Sequence, residues 1–323
     1  MIYPLHSTKA FRDEPSNSMR RESTRPYLDG RFLILAAAAL WGTTGTSQAL
    51  APESASSLTI GALRVIIGSV PLLLLAILRG GFRSGTRWHI PTVLMAGFST
   101  AAYQIFFFNG VRLAGVAIGT LVGIGSTPIF AGLLGRFFEK EKLSGRWVSA
   151  TLLTICGCVM LSGFGSQSSA DSASFLGLVL ALAAGFTYAI FTLVNKRLLA
   201  HHTPDESMAV SFCLGALILL PVIFLKDISW VMTSNGAVVV LHLGLLATGV
   251  SYMLFGRGLR TVAVSTVGTL TLAEPLTAGI LSVLLLGERL SPLSFFGIIL
   301  LITGLLILTL QPGTGDSEKE KRG

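Results

Sequence analysis

The sequence predicts an all-α integral membrane protein: ten transmembrane helices arranged as two inverted five-helix repeats. Three observations predict it. The chain divides into ten apolar runs of about 19 to 25 residues, each long enough to cross a hydrocarbon core of ~30 Å. The runs fall at 32–50, 58–78, 90–108, 113–135, 147–165, 174–194, 207–225, 237–255, 262–286 and 292–310. Basic residues alternate between the connections: of 24 Lys and Arg, twenty fall on one side, three on the other, and Arg64 lies inside a run. A local pattern then recurs at a fixed offset of 147 residues.

The charge alternation sets the orientation. The basic side takes residues 1–31, every second connection and the C-terminal tail. By the positive-inside rule that side is cytoplasmic. The other side holds only Arg112, Lys226 and Arg289. The expected place is the inner (cytoplasmic) membrane, multi-pass, with both termini inside. Residues 1–31 and 311–323 are polar and charged, and are expected to be disordered tails.

Composition narrows the class. Hydrophobic residues make up 51% and charged residues 12%, half the ~25% usual in soluble domains. The net charge of +8 is spread over short loops, where it meets anionic lipid head groups and not nucleic acid. Cys156, Cys158 and Cys213 all lie in apolar runs. They form neither a disulfide framework nor a metal site, and no cofactor is expected.

The repeat pairs Pro128 with Pro275, Glu141 with Glu288, Lys142 with Arg289, Leu143 with Leu290, Ser144 with Ser291 and Gly157 with Gly304. Upstream, Tyr103 and Gly110-Val111-Arg112 echo Tyr252 and Gly258-Leu259-Arg260. The halves are 32–165 and 174–310. Each has five runs, and five is odd, so the second copy enters from the opposite side. That layout places a solute site near the midplane between the halves. Ser291-Pro292 has the form of an N-cap and first helical position, so Glu141 and Glu288 are expected to serve tight turns, not ion transfer.

Ionisable groups deep in an apolar run are costly and become functional candidates. Here they are Glu274, Arg64 and His242. Glu274 lies near the middle of the ninth run, beside Pro275, which disrupts the helix one turn back. It is a candidate proton acceptor or partner for a solute amine. A carboxyl there changes protonation as its surroundings change, which suits protons as the coupling ion. Arg64 is seven residues into the second run, roughly 9 Å deep at 1.5 Å per residue. It would bind a solute carboxylate, pair with Glu274 or snorkel to the surface. His242 is a candidate relay or interhelical hydrogen-bonding group. Trp41, Thr44 and Gln48 share a helical face, as do Tyr103 and Phe107 beside Gln104. Tyr188 shares one with Thr192, and Ser251 and Tyr252 share one with Thr248. Aromatic walls with a few polar groups suit an amphipathic small molecule. Pro128 and Pro275 are candidate hinges. Gly115, Gly119 and Gly123 form a small-residue stripe suited to close packing within a monomer, or to a weak homodimer.

The repeat resembles the EamA-type unit of the drug/metabolite transporter superfamily. Leu40-Trp41-Gly42, Arg64, Ala273-Glu274-Pro275 and Gly287-Glu288 carry the resemblance over about 32–310. It implies a ten-helix transporter, commonly an exporter of amino acids or other small metabolites. Thr127-Pro128 stands where the second half has Glu274-Pro275, so any role of that glutamate belongs to one half. With no GxxxxGK[ST] loop in the chain, energy would come from an ion or solute gradient. A passive facilitator is the alternative. An integral membrane enzyme is a weaker one, since it would need clustered carboxylates or an acid–base pair.

Overall fold

In the computed structural model, residues 29–83, 85–162, 174–287 and 291–310 are described. They are helical, with no strand among them. Along the chain run α1 (Gly30–Ala49), α2 (Ser57–Leu78), α3 (Ile90–Ala114), α4 (Val116–Gly125), α5 (Thr127–Phe138), α6 (Gly145–Leu161), α7 (Phe175–Leu198) and α8 (Pro204–Leu225). After a 3-10 turn at Ser229–Met232 come α9 (Ser234–Leu241), a π-helical stretch at His242–Val250, α10 (Ser251–Thr261), α11 (Val264–Leu270), α12 (Ala273–Leu286) and α13 (Pro292–Thr309). Among the described residues, eight helical units are long and apolar enough to cross a membrane: α2, α3, α4–α5, α7, α8, α9–α10, α11–α12 and α13. Helix α6 is apolar but has 17 residues. Helix α1 has 20 and carries Thr43, Thr44, Thr46, Ser47 and Gln48 in its second half.

Local signals set the helix ends. Ser56, Ser144 and Ser291 accept from the backbone N–H three residues on, and Pro292 follows Ser291 where no N–H is needed. Thr203 and Glu206 form a reciprocal capping box before Pro204. The connection expected between the third and fourth runs shrinks to Gly115, whose positive φ of 86° suits glycine. Arg112 accordingly lies in the last turn of α3, not in a loop. Glu288 and the tails lie outside the described residues, apart from 29–31. Glu141 is placed: its carboxylate accepts from the N–H groups of Val264 and Ser265, capping α11 from the other half of the chain.

Packing follows an exchange rule. Helix α3 packs chiefly on α7, and α1 on α10; α2 packs on the π stretch, and α8 on α3; α4–α5 pack on α7, and α1 on α12. Each pair becomes the other when the halves are exchanged, while α2–α8 and α6–α13 map onto themselves; α5–α11 departs from the rule, because its exchanged counterpart, α4–α12, is not a comparable contact. The connections gather at two ends. Asp29–Arg31, Arg79–Gly81, Glu141–Lys142, Leu199–Glu206, Arg260–Ala263 and Leu308 line one cavity of about 1870 Å³. The three ion pairs among the described residues, Asp205 with Arg79 and Arg257 and Glu139 with Arg197, lie at this end. His202 also lies there, stacked on Trp88 at 3.5 Å between centroids; burial pulls its imidazole below the usual range. At the other end Ala51, Ala55 and Ile228 pack around Ile60 and Trp230.

Candidate functional site

Two helices are interrupted at matching places, and the interruptions organise the centre. Before Pro128 the chain breaks at Ser126, between α4 and α5. Before Pro275 it breaks at Thr271–Leu272, between α11 and α12. A proline ring collides with the carbonyl four residues back, and for Pro275 that residue is Thr271. Each break heals itself with a hydroxyl: Ser126 donates to the Gly123 carbonyl, and Thr271 to the Gly268 carbonyl. Pro275 therefore sits in the first turn of a new helix, where its missing N–H costs little. Glu274 stays near the middle of the ninth span, Val264–Leu285, but that span is two helices and not one disrupted helix. Glu274 lies in the first turn of α12, where the helix dipole favours an anion.

A glycine from the opposite half closes on each break. A Cβ on Gly42 of α1 would come within 2.7 Å of the Glu274 carbonyl and collide with Thr277. A Cβ on Gly185 of α7 would come within 2.6 Å of the Gly123 carbonyl and collide with Ser126. Gly42→Val is expected to push α1 off α12 and to destabilise the fold by about 1–3 kcal/mol. The check is a thermal melt of the purified variant, with Gly45→Val as control, since nothing lies within 4 Å of a Cβ at Gly45.

The Glu274 side chain is partly accessible, with no hydrogen bond or ion pair among the described residues. Arg64, Tyr103, Tyr252 and Cys158 lie within reach of its charge. Arg64 does not pair with it. The guanidinium is buried and turns to the π stretch: Nε donates to Thr248 Oγ1 at 3.1 Å, and one terminal nitrogen to the Ala247 carbonyl at 3.0 Å. Thr248 passes its own proton five residues back, to the Leu243 carbonyl, in π register. Short π stretches often mark functional sites. The surface-snorkelling alternative for Arg64 is thus replaced by a buried, hydrogen-bonded placement.

Aromatic rings fill the space between these groups. Trp41 donates from Nε1 to Ser251 Oγ at 2.8 Å, and Ser251 donates to the Ala247 carbonyl. The Trp41 ring lies 4.9 Å from Tyr252 and 6.1 Å from Tyr188. Tyr188 meets Tyr103, which stacks on Phe107. Gln104 is buried nearby. The structure so brings Trp41, Tyr103, Gln104, Tyr188, Ser251 and Tyr252 together, with Arg64 and Glu274 beside them. His242 opens the π stretch and shares a hydrogen bond with Thr43 Oγ1 at 2.9 Å, linking it to α1. Gln48 lies two turns beyond Trp41, near the end of α1, and is not part of the cluster. Gly119 abuts Val111 of α3, and Gly123 abuts Phe107 and Ala181, while a Cβ on Gly115 would meet nothing. No group of three metal-binding side chains occurs among the described residues.

Composition and spacing do not reveal the π stretch. Its one sequence trace is the glycine set Gly68, Gly244 and Gly249, which lets α2 lie directly against it.

The EamA-like transporter family model matches twice, over residues 28–163 and 175–310. The chain belongs to the EamA-like transporter family. A relative named "Uncharacterized transporter YwfM", from Bacillus subtilis (strain 168), is 42% identical over 281 residues, covering 87% of this chain and 94% of that one. At 24% identity, with 85% and 93% covered, the chain resembles the Escherichia coli (strain K12) protein named "Probable amino-acid metabolite efflux pump". A crystal structure with 21% identity superposes with a TM-score of 0.75, covering 87% of this chain and 96% of that one, which speaks for the fold. An EamA-like chain with this helical content is a multi-pass membrane transporter. Its family and relatives point away from an enzyme.

Proposed function

We propose that this EamA-like protein is a secondary exporter of a small amphipathic metabolite, an amino acid or a close analogue. It works by alternating access in the inner (cytoplasmic) membrane. All ten helical units cross, α1 and α6 included, as two inverted five-helix halves with both termini in the cytoplasm. The observation that carries this is the pair of broken helices, each closed on by a glycine of the other half, with the unpartnered Glu274 carboxylate at one break. Half-helices meeting near the middle of a bundle are the usual setting of a solute site in such transporters. The exchange rule in the packing supports two related halves. Gathering of the basic connections around one cavity supports a cytoplasmic end.

Glu274 is the proton-exchanging group, Arg64 sets the shape of the π stretch, and the ring cluster holds the solute. Gly119 and Gly123 are spent on internal packing, which favours a working monomer. The relative named as an amino-acid metabolite efflux pump supports both solute class and direction. The test is metabolite profiling of medium and cytosol in cells that overproduce or lack the protein. An amphipathic solute should rise in the medium on overproduction and rise in the cytosol on deletion. Unchanged pools in both strains would contradict export.

A further inference from the structure

We propose that a small cavity enclosed by α3, α7, α8 and α10 seats a primary ammonium group of the transported solute. This rests on the transporter reading above and names the solute's chemistry. The cavity is about 10 Å³, room for one water-sized group. Two polar atoms at it have no hydrogen-bond partner among the described residues: Gln104 Oε1 and the Tyr188 hydroxyl. Gln104 is 3% exposed and Tyr188 7%. Thr192 stands near the phenol; its own proton goes to the Tyr188 carbonyl, so toward the phenol it offers only a lone pair and the phenol oxygen stays free to accept. Buried polar groups are rarely left unpaired, and an orphan calls for a partner outside the fold.

The α3 oxygens of the lining call for a guest that donates hydrogen bonds. Ser99 and Thr100 both give their protons to the Ala96 carbonyl, so toward a guest they offer only lone pairs. Gln104 Oε1 is an acceptor as well. Aromatic rings of Tyr103, Phe212 and Tyr252 form the remaining wall, and ring faces attract cations. Among the described residues no Lys, Arg or His lines the cavity; outside its wall both the Glu274 carboxylate and the Arg64 guanidinium lie close enough to act on Tyr103 and Tyr252. An ammonium brings three N–H donors and a charge to this set. A carboxylate would set acceptors against Gln104 Oε1, Ser99 and Thr100, and could accept only from the phenol and amide donors of the lining. The two orphan atoms sit on α3 and α7, one in each half, so a seated ammonium ties the halves together at their most extensive contact.

The experiment is thermal unfolding of the purified full chain with three probes that share a branched alkyl body: isobutylamine, isobutyltrimethylammonium and isobutyrate. Isobutylamine should raise the melting temperature by about 2–4 °C at about ten times its dissociation constant. The quaternary probe, charged but without N–H donors, and isobutyrate should not. Gln104→Leu removes an unsatisfied buried atom, so it should fold and lose the response. Tyr188→Phe, which removes only the hydroxyl, should weaken it. Equal responses to the amine and its quaternary form, or an undiminished response in both variants, would overturn the seat. A parent protein that answers to none of the probes would overturn it too, leaving a cavity for water only. Profiling decides transport separately: changed pools with no amine response sink the seat alone, and an amine response with unchanged pools sinks the export reading alone.

Discussion

Glu274→Gln is expected to insert and fold like the parent and to lose solute accumulation driven by a proton gradient, while solute exchange at equal pH continues. The carboxamide keeps the size and hydrogen-bonding reach of the carboxyl but cannot ionise. Nothing among the described residues depends on the Glu274 side chain for a bond, so stability should change little. The first turn of α12 places an anion at the positive end of a helix, beside the break at Thr271–Leu272. The neutral and charged forms therefore have different partners on offer, as coupling requires. Glu274→Asp should retain partial accumulation, with its pH optimum moved. The check is flux of the profiled solute in liposomes, with and without a pH step. Full gradient-driven accumulation by the Gln variant would make Glu274 a packing residue.

Arg64 gives the second large effect, for a different reason. Its two bonds hold the π stretch against α2, through Thr248 and the Ala247 carbonyl. Hydrogen bonds from a charged donor contribute about 1.5–3 kcal/mol each. Arg64→Ala removes both and opens a gap beside Gly68, so transport should be lost and the melting temperature should fall. Arg64→Lys keeps the charge but presents a single point donor in place of a planar fork. It should fold and transport about 10- to 100-fold more slowly, consistent with the loss of one such bond. Flux and melting temperature measured on both variants separate the cases. Parent-like flux in Arg64→Ala would show that the π geometry is dispensable.

Much of the architecture is legible in the sequence because a membrane leaves few choices. Backbone groups in lipid must be satisfied within the helix, so apolar runs read directly as helices, and charge at their ends reads as topology. Ser291-Pro292 and Ser144 announce their helix starts for the same local reason that they cap them. The aligned prolines mark where the fourth helix of each half fails, but not that it becomes two helices; that depends on hydroxyls at Ser126 and Thr271 and on Gly42 and Gly185 from across the interface. Ring contacts among Trp41, Tyr103, Tyr188 and Tyr252 follow from helical faces that periodicity reveals singly and only tertiary packing combines. The partners of Arg64 were hidden, since a backbone carbonyl freed by π register leaves no mark in side-chain identity. Gln48 shows the converse: it shares a face with Trp41, yet two turns along the helix carry it away from the rings.

The central claim is that the middle of the bundle opens in turn to each side of the membrane. Thr277, one turn past Glu274 and against Gly42, is the place to ask. A Thr277→Cys chain with Cys156, Cys158 and Cys213 replaced would be treated with a membrane-impermeant thiol reagent, in right-side-out and inverted vesicles. The account predicts modification from both faces, with the two rates moving in opposite directions when the profiled solute is added in excess on one side. Modification from one face only, or equal rates that the solute leaves unchanged, would contradict it.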